Sequence, residues 1–272
     1  MARQRLGQHF LVGDEWREQI ARAIRVSPQS LAPSGDARGK EYCWIEIGAG
    51  RGEMTEHLAA SGAPVIAIEL DHLLIGRLRK LAKQFSNLTI VAADVLETDI
   101  AGLAGAGRRV KIYGNLPYYI TSPILQHLFA SAEVIDEIHI VIQTEVARRL
   151  AAEPGSRDYG YLSVLTQMYS RPEFVFEIPK GAFEPPPEVT SALVTLRLPG
   201  QRASLRLTDE AGFLEFVKLC FSQKRKTLVN NLRPVKNAEV TREALEDLGL
   251  RVDARGEQLS AMDFAGLYRR LG

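Results

Sequence analysis

Short apolar runs of strand length alternate with amphipathic segments of helix length through most of this chain, and that alternation leaves few folds open. The runs at 42–47, 65–69, 88–91, 110–113 and 137–143 read as strands bounded by turn-forming residues. A strand that hands over to a helix returns beside a parallel neighbour, so the pattern predicts an α/β fold built on a doubly wound sheet. Two later β-rich pieces, 174–178 and 192–198, have no long helix between them and read as a closing antiparallel pair. The stretch 179–188 that separates them cannot be helical, because proline removes backbone donors and biases its predecessor toward extended shapes. After Pro199-Gly200 only helical spacing remains. Thr208-Asp209-Glu210 reads as a helix start, and Phe213, Phe216, Val217, Cys220 and Phe221 recur along one face. Two further helices are expected at 242–248 and 262–271. With 272 residues and 46% hydrophobic content the chain can bury two cores, so a large α/β domain over 1–200 and a small helical domain over 201–272 are expected.

The glycines Gly48, Gly50 and Gly52 in Glu46-Ile-Gly-Ala-Gly-Arg-Gly52 follow the first strand and open a helix, which lets the backbone approach a ligand at the carboxyl edge of the sheet. A dinucleotide site wants a glycine at the next position, but residue 53 is Glu, placing negative charge where a pyrophosphate would lie. Glu69 ends the second strand, where a carboxylate can hold both ribose hydroxyls of a nucleoside. Asp94 ends the third strand and can accept from an adenine amine. Each acid by itself could equally cap a helix. Glu46, Glu69 and Asp94 together, in strand order around a glycine loop, suit a ligand that carries a sulfonium, an ammonium and a ribose in place of phosphates: S-adenosylmethionine.

Asn115-Leu116-Pro117-Tyr118 falls at the end of the fourth strand, on the same edge. An amide oxygen and nearby carbonyls can accept the hydrogens of an exocyclic base amine, proline fixes the turn, and tyrosine offers a flipped base a face to stack on. An adenine N6 is a poor nucleophile because its lone pair is delocalised, and drawing its hydrogens toward carbonyl acceptors favours a pyramidal, more reactive nitrogen. No strong base is needed, since the sulfonium charge is relieved in the transition state and the proton leaves afterwards. Read blandly, the motif is a strand-to-helix turn with a core tyrosine. Phe183, in Phe-Glu-Pro-Pro-Pro-Glu-Val, is expected to supply a second stacking face, a contact that contributes about 1–3 kcal/mol; by itself it reads equally well as a phenylalanine anchoring a loop to the core. His9 is expected to be at most a wall of the cofactor pocket.

The formal net charge of +1 does not announce a nucleic-acid partner, so local clusters have to carry that case. Arg3 and Arg5, Arg148-Arg149, and Lys224-Arg225-Lys226 with Arg233 and Lys236 are candidates for a phosphate-binding rim, although most basic runs on helices are solvated faces. The third cluster is favoured, because Ser222-Gln223 and Asn230-Asn231 lie on the same segment. Cys43 and Cys220 are lone thiols in apolar patterns, which fits a reducing cytosol. The histidines at 9, 57, 72, 127 and 139 lack metal-ligand spacing, so no metal is expected. No apolar run approaches the roughly 18–20 residues of a membrane helix, and the first ten residues lack the apolar core of a signal peptide, so a cytoplasmic protein with no membrane contact is expected. Residues 33–40 read as a flexible surface insert.

Taken together, Gly7-Gln-His-Phe-Leu11, Glu46-Ile-Gly-Ala-Gly-Arg-Gly52, Ile68-Glu-Leu-Asp71, Gly114-Asn-Leu-Pro-Tyr-Tyr-Ile-Thr-Ser-Pro123, Phe183-Glu-Pro-Pro-Pro-Glu-Val189 and Phe221-Ser-Gln-Lys-Arg-Lys-Thr-Leu228 make the chain resemble the KsgA/RsmA family of ribosomal RNA adenine N6-dimethyltransferases over nearly its whole length. The resemblance implies a Rossmann-like class I S-adenosylmethionine-dependent methyltransferase domain followed by a small C-terminal helical domain. It also implies transfer of two methyl groups to each of two adjacent adenosines in the 3′-terminal hairpin of 16S rRNA in the small ribosomal subunit. Carried over by position, His9, Leu11, Gly48, Glu69, Asp94 and Asn115 would line the cofactor pocket, and Asn115, Tyr118 and Phe183 would receive the target base. His9 stands where many relatives have Asn, and imidazole can still hydrogen-bond there. Enzymes of the same fold that methylate 23S rRNA and confer antibiotic resistance share the Asn-Leu-Pro-Tyr type of motif, but the Lys-Arg-Lys-Thr-Leu segment favours the small-subunit enzyme. A DNA adenine methyltransferase would more typically carry two prolines where Leu116-Pro117 stand. An assembly factor that binds pre-ribosomal RNA with little turnover is the alternative from another class, and a monomer is the default.

Overall fold

The computed structural model describes residues 9–26, 42–117 and 119–272. Nine strands occur among them: β1 (Phe10–Leu11), β2 (Tyr42–Ile47), β3 (Val65–Glu69), β4 (Leu88–Ala92), β5 (Arg109–Asn115), β6 (Ile135–Gln143), β7 (Arg171–Ile178), β8 (Phe183–Glu184) and β9 (Ser191–Arg197). Seven of them form one sheet in the order β4-β3-β2-β5-β6-β9-β7, while β1 and β8 form a separate two-stranded ribbon. The pairings among β2 to β6 are parallel, and β9 runs antiparallel to β6. The parallel strands are continuous apolar runs because both faces of such a sheet are covered. Cys43, Trp44, Ile45 and Ile47 in β2 and Ile138, Ile140, Val141 and Ile142 in β6 are all buried. The connecting segments are helices, among them Glu53–Ala60, His72–Leu81 and Thr121–Ala130. Asp71 starts the second by accepting the Leu73 N–H at 2.9 Å.

The expected doubly wound sheet is therefore present, with one consequential change of boundary. The strand expected at 110–113 extends to Asn115, so the Asn-Leu-Pro turn is anchored directly to the sheet.

Two compact units divide the chain, one made of 1–147 and 173–198, the other of 148–172 and 199–272. A single boundary at residue 200 does not describe this. The segment 148–172 belongs with the second unit because Tyr159, Val164 and Met168 join Phe213, Val217, Leu228, Leu245 and Phe264 in one apolar core. In that unit the helix foreseen at Asp209-Glu210 runs over Glu210–Cys220, and Asp209 caps it by accepting the Gly212 N–H at 2.9 Å. The last two helices are Ala238–Asp247 and Ala261–Leu271. Among the described residues no helix is long and apolar enough to cross a membrane.

Candidate active site

The order of the sheet reverses between β2 and β5, and at such a point the loops leaving the two strands part and open a crevice at their carboxyl ends. A cleft lies there. One side is the glycine loop after β2, another is Asn115-Leu116-Pro117 after β5, and His9, Phe10 and Leu11 form a third wall. Gly48, Gly50 and Gly52 have φ of 67°, 59° and 90°, the left-handed region that side chains rarely tolerate. At Gly50 a Cβ would also sit 3.2 Å from the Phe10 ring, so both backbone and space demand glycine.

Glu69 holds this loop in place. Its Oε2 accepts the Gly50 N–H at 2.7 Å, and its Oε1 accepts the Leu70 and Asp71 N–H groups at 2.9 Å each. Three of about four lone-pair sites on the carboxylate are thereby used, leaving one for a ligand. Glu69 is 4% exposed and reaches the cleft through Gly50 instead of lining it. Asp94 lies two residues beyond β4 and also lies outside the cleft lining; its carboxylate accepts the Leu96 N–H at 2.9 Å, the capping role that an acid commonly takes.

The floor of the cleft is polar and under-satisfied. Among the described residues, Glu46 Oε2 and the Tyr113 hydroxyl, both at the cleft, are buried without a hydrogen-bond partner in its lining. Burial pushes the Glu46 carboxyl up to about 8, Glu53 and Glu69 add to that, and the nearby Thr55 hydroxyl pulls the other way. Burial also holds the Tyr113 hydroxyl far above its ordinary range, helped by Glu46 and Glu53. A buried carboxyl with an orphaned oxygen is unfavourable by itself and favourable beside a cation, so these residues fit a ligand with a positively charged centre. Glu53, also at the wall, adds to the preference for cations over phosphates.

On the opposite wall Asn115 ends β5, and its Nδ2 donates to the His9 carbonyl at 2.8 Å. The amide is thereby oriented, with Oδ1 left to accept. The Leu116 N–H donates to the Val141 carbonyl at 3.0 Å with its side chain buried, and the Ile120 N–H closes the turn on the Pro117 carbonyl at 3.2 Å. His9 itself is tied down through Nδ1 to the Pro185 carbonyl at 2.7 Å. Tyr118 lies outside the described residues, as do Arg3, Arg5 and the insert at 33–40.

Phe183 takes the loop-anchoring place in the core that was the other reading of it. It sits in β8 opposite Leu11, 2% exposed, in the same apolar cluster as Leu11, Ile178 and Ala182. The proline-rich loop is anchored because β8 pairs with β1 before the prolines begin, and this pairing turns the ring inward. Phe183→Ala is therefore expected to lower stability by about 3–5 kcal/mol, read as a fall in the denaturant midpoint, with Phe183→Leu losing much less. A variant that unfolds like the wild type but loses methyl transfer would restore the stacking role.

Phe10, Met54 and Tyr113 line the cleft without having been singled out from sequence. Tyr113 could have been found, since it stands two residues before Asn115 on the same strand and so faces the same way. Phe10 could not, because its position depends on the ribbon; there the Arg51 guanidinium lies 4.2 Å from its ring centre and pairs with Glu184 at 3.1 Å.

Of the basic candidates in the second unit, Arg148 is exposed at the end of the helix Thr144–Leu150. Lys224, Arg225 and Lys226 are exposed on the turn between Glu210–Cys220 and Leu228–Leu232, where the Lys224 ammonium donates to the Arg157 carbonyl. Asn231 does not join them. It is 5% exposed, and its Nδ2 donates to the Cys220 carbonyl at 2.7 Å and the Gln223 carbonyl at 3.2 Å, so it braces the turn that presents the three cations. Among the described residues no group of His, Cys, Asp or Glu could hold a metal ion.

The sequence model of the family described as ribosomal RNA adenine dimethylase matches residues 1–271. The ribosomal RNA small subunit methyltransferase A of Koribacter versatilis is 38% identical over 98% of this chain and 93% of its own. A dimethyladenosine transferase from Plasmodium falciparum superposes with a TM-score of 0.76 at 23% identity, covering 95% of this chain and 96% of that one, a likeness of fold. The 23S rRNA methyltransferase ErmE superposes with a TM-score of 0.67 at 25% identity over 96% and 99% of the two chains.

Proposed function

Since the chain belongs to the ribosomal RNA adenine dimethylase family, we propose that it dimethylates N6 of two adjacent adenosines in the 3′-terminal hairpin of 16S rRNA, within the small ribosomal subunit and as a monomer. It is an rRNA adenine dimethyltransferase. The methyl donor is S-adenosylmethionine, which when bound supplies an electrophilic methyl group on a sulfonium. The observation that carries this reading is the oriented Asn115 amide, held by His9 across from a cation-seeking floor at Glu46.

The residues divide the work. Glu69 fixes the glycine loop and offers its remaining lone pair to a ribose hydroxyl, and the free oxygen of Asp94 accepts from the adenine amine of a cofactor that extends beyond the cleft. Glu46 meets positive charge at the cleft floor. Asn115 Oδ1 accepts one hydrogen of the target amine, which localises the nitrogen lone pair, and the Leu116-Pro117 turn with Tyr118 receives the base. The surplus proton departs to solvent after transfer. Arg3, Arg5, Arg148 and Lys224 to Lys226 hold RNA phosphates.

The raised pKa of Glu46 gives a test of the cofactor assignment. In the free protein the carboxyl is protonated below about pH 8. A cation bound beside it stabilises the ionised form, so binding at pH 7 releases up to about one proton and affinity rises from pH 6 to pH 9. Calorimetry with S-adenosylmethionine in two buffers of different ionisation heat is expected to read that release, and Glu46→Gln to abolish it. A native protein that binds with no proton exchanged would remove Glu46 from the contact.

The activity itself is tested by transfer of radiolabelled methyl groups to small subunits that lack these modifications, with large subunits and DNA in parallel. N6,N6-dimethyladenosine in small-subunit RNA alone is the expected product. Label in large-subunit RNA would move the enzyme to the resistance type, and no label anywhere would leave an RNA-binding assembly factor.

A further inference from the structure

Tyr119 is the one aromatic side chain among the described residues that is exposed, at 66%; the others are buried or half-buried. A tyrosine ring kept in water forgoes the burial of roughly 150–250 Å², and this one follows closely on a segment that lines the cleft. Asn115, Leu116 and Pro117 line that cleft, and Tyr119 follows two residues later. Its projection is imposed by the turn. The Ile120 N–H and the Thr121 hydroxyl both donate to the Pro117 carbonyl, at 3.2 and 3.4 Å, and Thr121 is 3% exposed at the start of the helix Thr121–Ala130. Tyr119 is thus carried at the tip of a braced turn. No charged residue occurs from Gly114 to Gln126, so the tip offers an apolar face without competing ion pairs.

We infer that Tyr119 is a positioning residue that stacks the nucleobase next to the target adenine and holds the strand while the target enters the cleft. Stacking suits this task because every base has a π-face, so one platform serves whatever nucleotide lies beside the target. For one of two adjacent targets the neighbour on the platform is the other target adenine; for the second it is the nucleotide flanking the pair. The inference rests on the proposed function and adds to it a site outside the reaction centre.

The test compares wild type, Tyr119→Ala and Tyr119→Trp on small subunits reconstituted with intact RNA or with RNA carrying an abasic nucleotide on either side of the target. On intact RNA, Tyr119→Ala is expected to raise KM about tenfold, with kcat and the S-adenosylmethionine dissociation constant nearly unchanged, and Tyr119→Trp to restore KM. On one of the two abasic RNAs the wild type falls to the level of Tyr119→Ala, and the variant loses nothing more. An unchanged KM for Tyr119→Ala, or the same loss on intact and both abasic RNAs, overturns the platform while the proposed function stands. A wild type that labels no intact small subunit overturns the proposed function and the platform with it.

Discussion

Asn115→Ala is expected to lower single-turnover methyl transfer by about 10²- to 10³-fold while binding cofactor and small subunits nearly as well as the wild type. That range is typical for removal of one preorganised hydrogen-bonding group that acts on a reacting centre. The substitution removes two things at once, the Oδ1 acceptor and the Nδ2 donor that meets the His9 carbonyl at 2.8 Å. Asn115→Asp separates them, because a carboxylate still accepts but repels that carbonyl. It is expected to be less active than wild type and more active than Asn115→Ala. Equilibrium dialysis with S-adenosylmethionine alongside the kinetics decides the matter: if Asn115→Ala loses cofactor affinity as steeply as rate, Asn115 is a pocket wall and not a partner of the amine.

Glu69→Ala is expected to weaken S-adenosylmethionine binding more than about a hundredfold, which corresponds to over 2.7 kcal/mol, and to lower stability as well. The carboxylate serves three backbone donors, and an unsatisfied buried donor costs about 1–3 kcal/mol. The Gly48 and Ala49 N–H groups of this loop are held by the Ile68 carbonyl, so Glu69→Ala removes support at Gly50 specifically. Glu69→Gln retains oxygen and size but turns an NH₂ group toward at least one of these donors, so it is expected to lose affinity with a smaller loss of stability. Calorimetry of cofactor binding and denaturant unfolding on both variants would read the two effects. Unchanged affinity in Glu69→Ala would end the proposed role of this residue.

Features that depend on a strand end were legible in the sequence, because a parallel strand announces itself by an apolar run and its last residue then points to the carboxyl edge of the sheet. Glu46, the glycine loop and Asn115 were placed at the cleft on that basis and the structure brings them together, whereas Glu69 and Asp94, read the same way, lie outside its lining because backbone N–H groups engage their carboxylates. Features that depend on pairing between distant short segments were not legible. β1 and β8 have two residues each, too few to show periodicity, so the sequence could not choose between the stacking and the core-anchoring readings of Phe183, nor show the arrival of Phe10 at the cleft wall. The helix Tyr161–Tyr169 shows the same limit at the scale of units. Its apolar residues fit a helix packed on the sheet as well as one packed on Phe213 and Phe264, and only the three-dimensional core decides between them.

The ribbon of β1 and β8 also sets a timetable. His9 meets Pro185, a residue 176 positions later, and the wall that Phe10 and Leu11 give the cleft is fastened by that late segment. A ribosome adding about 5–20 residues per second needs on the order of ten seconds or more to deliver the fastening strand after the first wall has emerged. Once Asn115 has emerged, later in that interval, the glycine loop and Asn115 can already be folded on their strands, yet the pocket stands open on one side until the fastening strand follows. An unfinished copy of this enzyme therefore carries its cleft residues without the wall that the late strand fastens.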